Sequence, residues 1–270
     1  MSDELDSLPH NQRLDADQVR SRLTTTRIGR ELHYLRVTNS TMDDARRLAE
    51  AGCSHGATVV ADEQTAGRGT KGRIWVSPPG QSIHTTLVVR PSTDQMKRLS
   101  IITPVAACEA IARTTPLQPT IKWPNDIQIE QRKLGGILIE AEWGHEQPQY
   151  ALIGIGLNVN FDPAPWASQI DRPATSLMIE LAERQQREPV LAELLNAFEA
   201  AYDAWDSEEL HQSWRSRLST LGRDVRITDP AGDEFEGRAE DVNRDGALLI
   251  RRPDGEVVPV IAGEVTLRDA

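Results

Sequence analysis

Long hydrophobic runs are missing from this sequence of 270 residues. No segment approaches the roughly 18 consecutive apolar residues that a membrane-spanning helix requires, so we expect no such helix. The N-terminal stretch MSDELDSLPHNQRLDADQ is acidic and polar, and therefore differs from a secretory signal peptide. We expect a cytoplasmic protein without a membrane partner.

Cysteine is scarce, and histidines are not paired. The two cysteines, Cys53 and Cys108, are too few for a disulfide framework, and neither has the spacing of a metal ligand. The six histidines are scattered and form no HxH or HxxxH pair, which argues against a zinc site. We therefore expect reduced, structural thiols and no resident metal.

Lysine is rare, because only 4 of the 30 basic residues are lysines and the remaining 26 (30 − 4) are arginines. Lys71, Lys122 and Lys133 fall inside short motifs rich in Gly, Pro and Asp. Lysine is a compact, mobile point charge that suits phosphate or carboxylate, so these positions are predicted to bind an anion. The net charge of −11 argues against a dedicated nucleic-acid binder but allows a small local nucleotide site.

Strands and helices are interspersed over the first part of the chain, which predicts an α+β domain. The segment Ser40–Asp43 has a capping-box pattern and should open a helix that reaches about Ala51. Strands are predicted at 32–37, 58–61, 82–89, 120–123, 127–129, 136–142 and 150–159, and further helices at 96–113, 174–183, 190–205 and 208–218.

The local sequence pattern changes after Leu221–Gly222, from predominantly helical segments to short strand-like ones. Five short segments with strand character follow within about 50 residues, separated by the turn signals at 230–232, 244–246 and 253–255. This pattern predicts a small β-barrel. The expected organisation is an N-terminal segment over 1–30 with at most one short helix, a first domain over 31–220 and a second over 221–270.

The segment Gly67–Gly72 matches G-x-G-x-x-G, a pattern that several unrelated phosphate sites share. A dinucleotide site needs a helix directly after the glycines, and the prolines at 78 and 79 exclude one. The sequence also lacks the HRD and DFG motifs of a kinase and the G-x-x-x-x-G-K-[ST] of a P-loop. Two interpretations remain: a solvated basic turn, or a flexible loop whose Arg68, Lys71 and Arg73 neutralise a bound anion.

Three further motifs favour the anion-binding interpretation. Lys122–Asp126 reads Lys-Trp-Pro-Asn-Asp, a proline turn that can place Lys122 and Asp126 in one pocket. Lys133–Gly136 and Gly154–Asn160 are strand-like segments whose glycines suggest close approach of a ligand. A site with an apolar floor, several cations and no His or Cys nucleophile suits attack of a carboxylate on the α-phosphate of a nucleoside triphosphate, which yields an acyl-adenylate.

Together these motifs, in this order and approximate spacing, resemble those of the biotin–protein ligases. The resemblance rests on Gln64–Gly69 with Arg73 and Trp75, Lys122–Asp126, Lys133–Ile137 and Gly156–Asn158, and runs from about Ser40 to the C-terminus. It implies an α+β fold in which a mixed-sheet, class II synthetase-like biotin–lipoyl ligase catalytic domain is followed by a small SH3-like β-barrel.

The resemblance also implies a reaction in two steps and a role for each matching residue. Biotin and Mg-ATP give biotinyl-5′-AMP, and the biotinyl group then passes to one lysine of a carrier protein. The implied biotin-binding residues are Ser40, Thr41, Met42, Gln64, Arg68, Gly69, Thr70, Lys133 and Gly136. The implied residues for ATP and the adenylate are Arg73, Trp75, Lys122, Asp126, Asn158 and Arg268. The implied catalytic residues are Lys133, Lys122, Asp126 and Arg68, with Lys133 as the main electrostatic catalyst.

Two positions depart from the family pattern. Thr70 stands where an arginine often helps to retain the adenylate, so faster release of the intermediate is expected unless the adjacent Lys71 substitutes. Met42 stands where an asparagine often follows Ser-Thr, and because methionine cannot replace its hydrogen bonds, the ring contact there is expected to be apolar.

The expected partner is the biotin carboxyl carrier protein of acetyl-CoA carboxylase, with Mg²⁺ entering with ATP and the enzyme acting as a monomer or homodimer. Three alternatives stand beside this expectation. Some relatives are also repressors, but only 39 acidic, turn-rich residues precede Ser40, so no nucleic-acid partner is expected. Lipoate ligases carry an Arg-Arg-x-Ser-Gly-Gly-Gly loop that is absent here. A non-catalytic biotin or adenylate sensor is disfavoured by the presence of Lys122, Asp126 and Lys133.

Overall fold

The computed structural model describes residues 13–170, 172–229 and 232–267. Its helices are α1 (Ala16–Ser21), α2 (Thr41–Glu50), α3 (Thr93–Thr114), α4 (Leu177–Leu181), α5 (Arg187–Asp203) and α6 (Glu208–Arg217). The strands of the first sheet are β1 (Leu32–Thr38), β2 (Thr58–Gln64), β3 (Ser82–Val89), β4 (Thr120–Lys122), β5 (Asp126–Ile129), β6 (Arg132–Trp143) and β7 (Pro148–Asn158). None of the helices in this described part is long and apolar enough to cross a membrane.

The first sheet has the strand order β1-β2-β3-β7-β6-β5-β4. β1 and β2 are parallel, and α2 is the crossover helix that connects them. The other neighbouring strands of this sheet are antiparallel. The sheet is therefore mixed, as the resemblance to a known family implied. Strands that are buried on both faces, such as β3 and most of β7, read as nearly continuous apolar or β-branched runs.

Helices cover the two faces of this sheet unequally. On one face, α3 and α5 pack over the sheet in a large apolar core that includes Leu99, Phe198 and Ile153. On the other face, the short helix α2 packs through Met42 and Ala45 in a smaller cluster. Because α2 begins only at Thr41, the sheet beyond its N-terminal end has no helical cover, and that gap holds the cavity described below.

The second sheet is antiparallel and lies in the C-terminal part of the chain. Its strands are β8 (Asp224–Thr228), β9 (Glu234–Val242), β10 (Leu248–Arg251), β11 (Val257–Val260) and β12 (Glu264–Leu267), in the order β11-β10-β9-β8-β12. All five strands that the sequence predicted are present, and turn residues with positive φ, such as Gly246 and Gly255, separate neighbouring strands.

Trp123 joins the second sheet to the first. Its indole Nε1 donates a hydrogen bond to the carbonyl oxygen of Gly246 at 2.9 Å, and its backbone N–H donates to Thr220 Oγ1 at 3.1 Å. Trp123 itself is buried. The turn predicted to carry catalytic residues is therefore anchored on the C-terminal unit.

Glu199 of α5 holds the segment that leads into β1. Its carboxylate accepts hydrogen bonds from the backbone N–H groups of Thr26, Arg27 and Ile28 at 2.7, 3.0 and 2.8 Å. Burial by itself would raise the pKa of Glu199, but these N–H donors favour the charged form more strongly and lower the pKa from 4.5 to about 2. The carboxylate thus acts as a fixed anchor for the chain at neutral pH.

Glu199→Gln is expected to lower the free energy of unfolding at pH 7 by up to about 3 kcal/mol. Because the folded pKa is depressed, this stabilisation is complete above about pH 4.5 and is lost as the pH falls toward 2. Urea unfolding at pH 7 and at pH 3 measures the difference, which should be smaller at pH 3. Glu209→Gln, at an exposed position of α6, should change stability by less than about 0.5 kcal/mol at either pH.

Candidate active site

A cavity lies at the N-terminal end of α2, over the uncovered part of the first sheet. Every residue that the sequence predicted to bind biotin lines it: Ser40, Thr41, Met42, Gln64, Arg68, Gly69, Thr70, Lys133 and Gly136. These residues come from three distant motifs: the start of α2, the end of β2 with the loop after it, and β6. The sheet order brings them together, because only β3 and β7 lie between β2 and β6. We call this space the first cavity.

The start of α2 is organised differently from the predicted capping box. Ser40 is the N-cap residue, but its hydroxyl makes no capping hydrogen bond, so that expectation is wrong. The Gln64 side chain takes its place, since Gln64 Oε1 accepts from the backbone N–H and from the hydroxyl of Thr41 at 2.9 and 3.1 Å. Ser40 Oγ is buried and has no hydrogen-bond partner among the described residues, so it remains available to a ligand.

Three glycines form the floor of the first cavity because larger side chains lie directly over them. A Cβ atom at Gly156 would lie 2.5 Å from Cε2 of Trp75, and one at Gly136 would lie 3.0 Å from the same indole. A Cβ atom at Gly154 would lie 2.8 Å from Met42 Sδ. Trp75 and Met42 therefore depend on these glycines for their positions.

Lys133 lies at the centre of a small charged cluster. Its Nζ is 2.7 Å from Asp126 Oδ1 and 5.4 Å from the centroid of the Trp75 ring. Arg172 Nη1 is 3.5 Å from the other oxygen of Asp126. The Asp126 side chain is only 9% exposed. The two cations compensate its buried charge, and the ion pair holds Lys133 in one position.

Asp126 thus forms its ion pair with Lys133, although Lys122 is its direct neighbour across the β4–β5 pairing. Arg172 was missed in the sequence because it lies in the irregular segment between β7 and α4, outside any recognisable motif. Its only sequence signal was a positive charge in a loop.

The backbone of Lys133 is fixed by the segment before α4. Lys133 N–H donates to the carbonyl of Pro173 at 2.8 Å, and Thr175 N–H donates to the carbonyl of Lys133 at 2.9 Å. Residues 173–175 are therefore extended, and the helix predicted over 174–183 is shortened to Leu177–Leu181. Asn158 Nδ2 donates to the Thr175 carbonyl at 3.0 Å, so this amide group also supports the segment.

Two further cavities border the first and contain the residues predicted to bind ATP. Trp75 and Asn158 line the second cavity, while Arg73, Trp75, Lys122 and Asp126 line the third. Ile261 and Gly263 of the C-terminal unit also line the third cavity. Trp75 and Lys133 line all three cavities, which makes them the junction of the site. Arg268, also predicted to contact the nucleotide, lies outside the described residues.

The glycine-rich loop folds back on itself at the mouth of the site. Gly69 N–H donates to the Arg73 carbonyl at 2.8 Å, and Lys71 adopts a left-handed conformation with φ of 58°. Arg68 donates to both carboxylate oxygens of Asp43 on α2, at 3.0 and 2.6 Å. This hydrogen bonding lowers the pKa of Asp43. Sequence reasoning missed Asp43, because an acidic residue in the first turn of a helix is already explained by the helix dipole.

Comparisons with known proteins agree with this architecture. The profile of the Biotin/lipoate A/B protein ligase family matches residues 34–158, and that of the Biotin protein ligase C terminal domain matches residues 220–268. The biotin--[acetyl-CoA-carboxylase] ligase of Paracoccus denitrificans is 34% identical over 233 residues, which cover 82% of this chain and 95% of that protein. The bifunctional ligase/repressor BirA of Bacillus subtilis is 33% identical over 248 residues, or 90% of this chain and 76% of that protein.

A solved structure shows the same fold. The biotin protein ligase from Aquifex aeolicus in complex with biotin and ATP matches with a TM-score of 0.75 at 26% identity, over 89% of this chain and all of that one. A mixed sheet carrying a cation-lined site, followed by an antiparallel β unit, therefore defines a protein ligase of the biotin/lipoate class. Within that class, the chain belongs to the biotin protein ligase family.

The comparisons confirm the predicted family, the α+β fold with its C-terminal β unit, and the enzyme class. They carry no information about individual side chains. The roles assigned to the site residues therefore stay predictions, now accompanied by a geometry in which the described members of each predicted group lie close together.

Proposed function

We propose that this chain joins biotin to ATP to form biotinyl-5′-AMP and then transfers the biotinyl group to a lysine of a carrier protein. The observation that carries the proposal is the position of Lys133. It borders the cavity lined by the predicted biotin-binding residues and also the two cavities lined by the predicted nucleotide-binding residues. A reaction between a carboxylate and an α-phosphate must take place at such a junction.

In the first step, a carboxylate oxygen of biotin attacks the α-phosphorus of ATP, and the bond to the β-phosphate oxygen breaks to release pyrophosphate. Both reactants are anionic, and negative charge develops on the phosphoryl oxygens. The Lys133 ammonium group, held by Asp126 at 2.7 Å, is preorganised to stabilise this charge. Mg²⁺ would enter with ATP and neutralise the departing pyrophosphate.

In the second step, the amine of the acceptor lysine attacks the acyl carbon of the adenylate, and AMP leaves with the electron pair of the broken C–O bond. Asp126 lies at the third cavity, from which the amine would approach, and is proposed to orient it. Lys122 and Arg73 line the same cavity and add positive charge beside the phosphates. Arg68, Gly69 and Thr70 are proposed to fold over the intermediate.

We further propose that the acceptor is the biotin carboxyl carrier protein of acetyl-CoA carboxylase, as the name of the Paracoccus denitrificans relative suggests. Repression of transcription is not part of the proposal, because a net charge of −11 disfavours binding to DNA. The proposed organisation is a segment over 1–30, a catalytic domain over 31–220 and a C-terminal domain over 221–270, acting as a monomer or homodimer.

The test of this function is biotin-dependent exchange of labelled pyrophosphate into ATP. Exchange that requires biotin, is not supported by lipoate and needs a divalent cation would establish the adenylation step. Transfer of labelled biotin, in a separate assay, to an isolated carrier domain would establish the second step. A folded protein that binds biotin but supports no exchange would instead be a sensor, and the ligase proposal would fail.

Thr70→Arg is expected to slow the release of biotinyl-5′-AMP into solution. Thr70 lines both the first and the third cavity, so an arginine there could contact the adenylate phosphate, a charge-assisted hydrogen bond worth about 1.5–3 kcal/mol. Release can be followed by trapping the free adenylate with hydroxylamine after the complex is diluted. Equal release rates in the wild type and in Thr70→Arg would contradict the expectation that Thr70 weakens retention of the adenylate.

A further inference from the structure

His84 is a buried histidine in the wall of the first cavity, and no predicted role accounts for it. It lies on β3, paired in register with Ala61 of β2 and Gly156 of β7. It therefore projects on the same sheet face as Gly156, toward the first cavity, which it lines. The residue is 1% exposed.

Both ring nitrogens of His84 lack a hydrogen-bond partner within the described part of the chain. Buried polar side chains are nearly always paired in folded proteins, and an unpaired one costs about 1–3 kcal/mol. The strand cannot turn the ring toward water, because β3 is bonded to a neighbour on each side. An unpaired group in such a place indicates that its partner comes from outside the chain.

The ring is neutral in the folded protein. Burial, assisted by the nearby positive charge of Arg187, lowers the pKa of His84 to about 3. A neutral imidazole presents one N–H donor and one lone-pair acceptor. His84 therefore offers a matched donor and acceptor rather than a charge.

His84 is accompanied by two other unpaired groups in the same cavity. Ser40 Oγ and Trp75 Nε1 also line the first cavity and are buried without a partner among residues 13–170, 172–229 and 232–267. By contrast, Thr41, Gln64 and Thr86 of the same region already hydrogen-bond one another. The unpaired groups form a polar surface that an apolar ligand would leave unsatisfied.

We propose that His84 hydrogen-bonds the ring of the ligand in the first cavity and thereby selects a cyclic urea over an apolar ring of similar size. The inference rests on the proposed function, in which biotin occupies this cavity. A cyclic urea has a carbonyl acceptor and N–H donors, so it can pair with a neutral imidazole in either tautomer. A dithiolane ring has neither group and would leave His84 unpaired, and sites built for hydrogen bonds reject such ligands.

The test is the dissociation constant for biotin, measured by calorimetry on the full chain without ATP. His84→Phe keeps an aromatic ring, somewhat larger than the imidazole, but removes both nitrogens, and should weaken biotin binding about 10- to 100-fold. His84→Asn keeps one donor and one acceptor and should recover part of that loss. His55→Phe, at a half-buried histidine that contacts Tyr202 outside the three cavities, should leave the constant unchanged.

Thermal unfolding of the ligand-free proteins separates binding from folding. His84→Phe should melt at the same temperature as the wild type or higher, because the variant no longer buries unpaired nitrogens. Weaker binding with an undiminished melting temperature supports the inference. A wild type that binds biotin tightly, together with a His84→Phe constant within twofold of it, overturns the inference alone. A wild type that binds no biotin overturns the proposed function, and the inference with it.

Discussion

Lys133→Ala is expected to lower the rate of biotin-dependent pyrophosphate exchange by about 10²- to 10³-fold. The substitution removes the Lys133 ammonium group, which borders all three cavities and is held in place by Asp126 at 2.7 Å. A preorganised charge at the reacting phosphate contributes mainly to the transition state, so the turnover rate should fall more than the affinity for either substrate. Exchange assays at varied biotin and ATP give both quantities.

The matched control is Lys97→Ala. Lys97 is the lysine outside the motifs, and it pairs with Asp94 at 3.3 Å on the exposed first turn of α3. Its loss should leave exchange unchanged. Lys133→Arg retains the charge in a larger side chain and tests whether position matters as well. An alanine variant at 133 that stays folded and keeps its rate within threefold of wild type would remove Lys133 from the mechanism.

Gly156→Ala is expected to raise the KM for ATP by at least about tenfold. The added methyl group would lie 2.5, 2.6 and 2.8 Å from three atoms of the Trp75 indole. β7 cannot move aside at this point, because Gly156 is paired with His84 on one side and with Gly136 on the other. The indole must therefore move. Because Trp75 lines both the proposed biotin cavity and the proposed nucleotide cavities, its movement would change the wall that they share.

Gly144→Ala is the corresponding control for Gly156→Ala. Gly144 lies in the turn between β6 and β7, where the nearest atom to an added methyl is the end of the flexible Gln149 side chain at 3.3 Å. This variant should leave the KM for ATP unchanged. If both alanine variants gave the wild-type KM, the Trp75 indole could not be part of the nucleotide site.

Local sequence patterns were sufficient to predict most of the elements, whereas the groups of site residues were implied by the resemblance of the motifs to a known family. Most strands were found from runs of apolar and β-branched residues, and the C-terminal β unit from regularly spaced turn residues. The described residues predicted to bind biotin share one cavity, because each motif lies at a strand end or a helix start and the sheet order makes those ends neighbours.

Contacts between distant residues could not be predicted in this way. The capping of α2 by Gln64, 23 residues away from Thr41, replaces a local bond that the Ser40–Asp43 pattern suggested. The pairing of residues 173–175 with Lys133 overrode a helix that the local pattern favoured. From the sequence pattern alone, His84 cannot be told apart from the other residues of a buried strand. Only its unpaired ring nitrogens in the structure distinguish it from a core residue.

The hydrogen bond from the Trp123 indole to the Gly246 carbonyl has a thermodynamic consequence. Any partial unfolding that detaches the C-terminal sheet must break this bond and also take Ile261 and Gly263 from the wall of the third cavity. A ligand that binds only the closed cavity therefore opposes that opening by mass action. Occupancy of the nucleotide site should accordingly slow amide hydrogen exchange in β9 and β10, although none of the residues that the structure describes in these strands lines any of the three cavities.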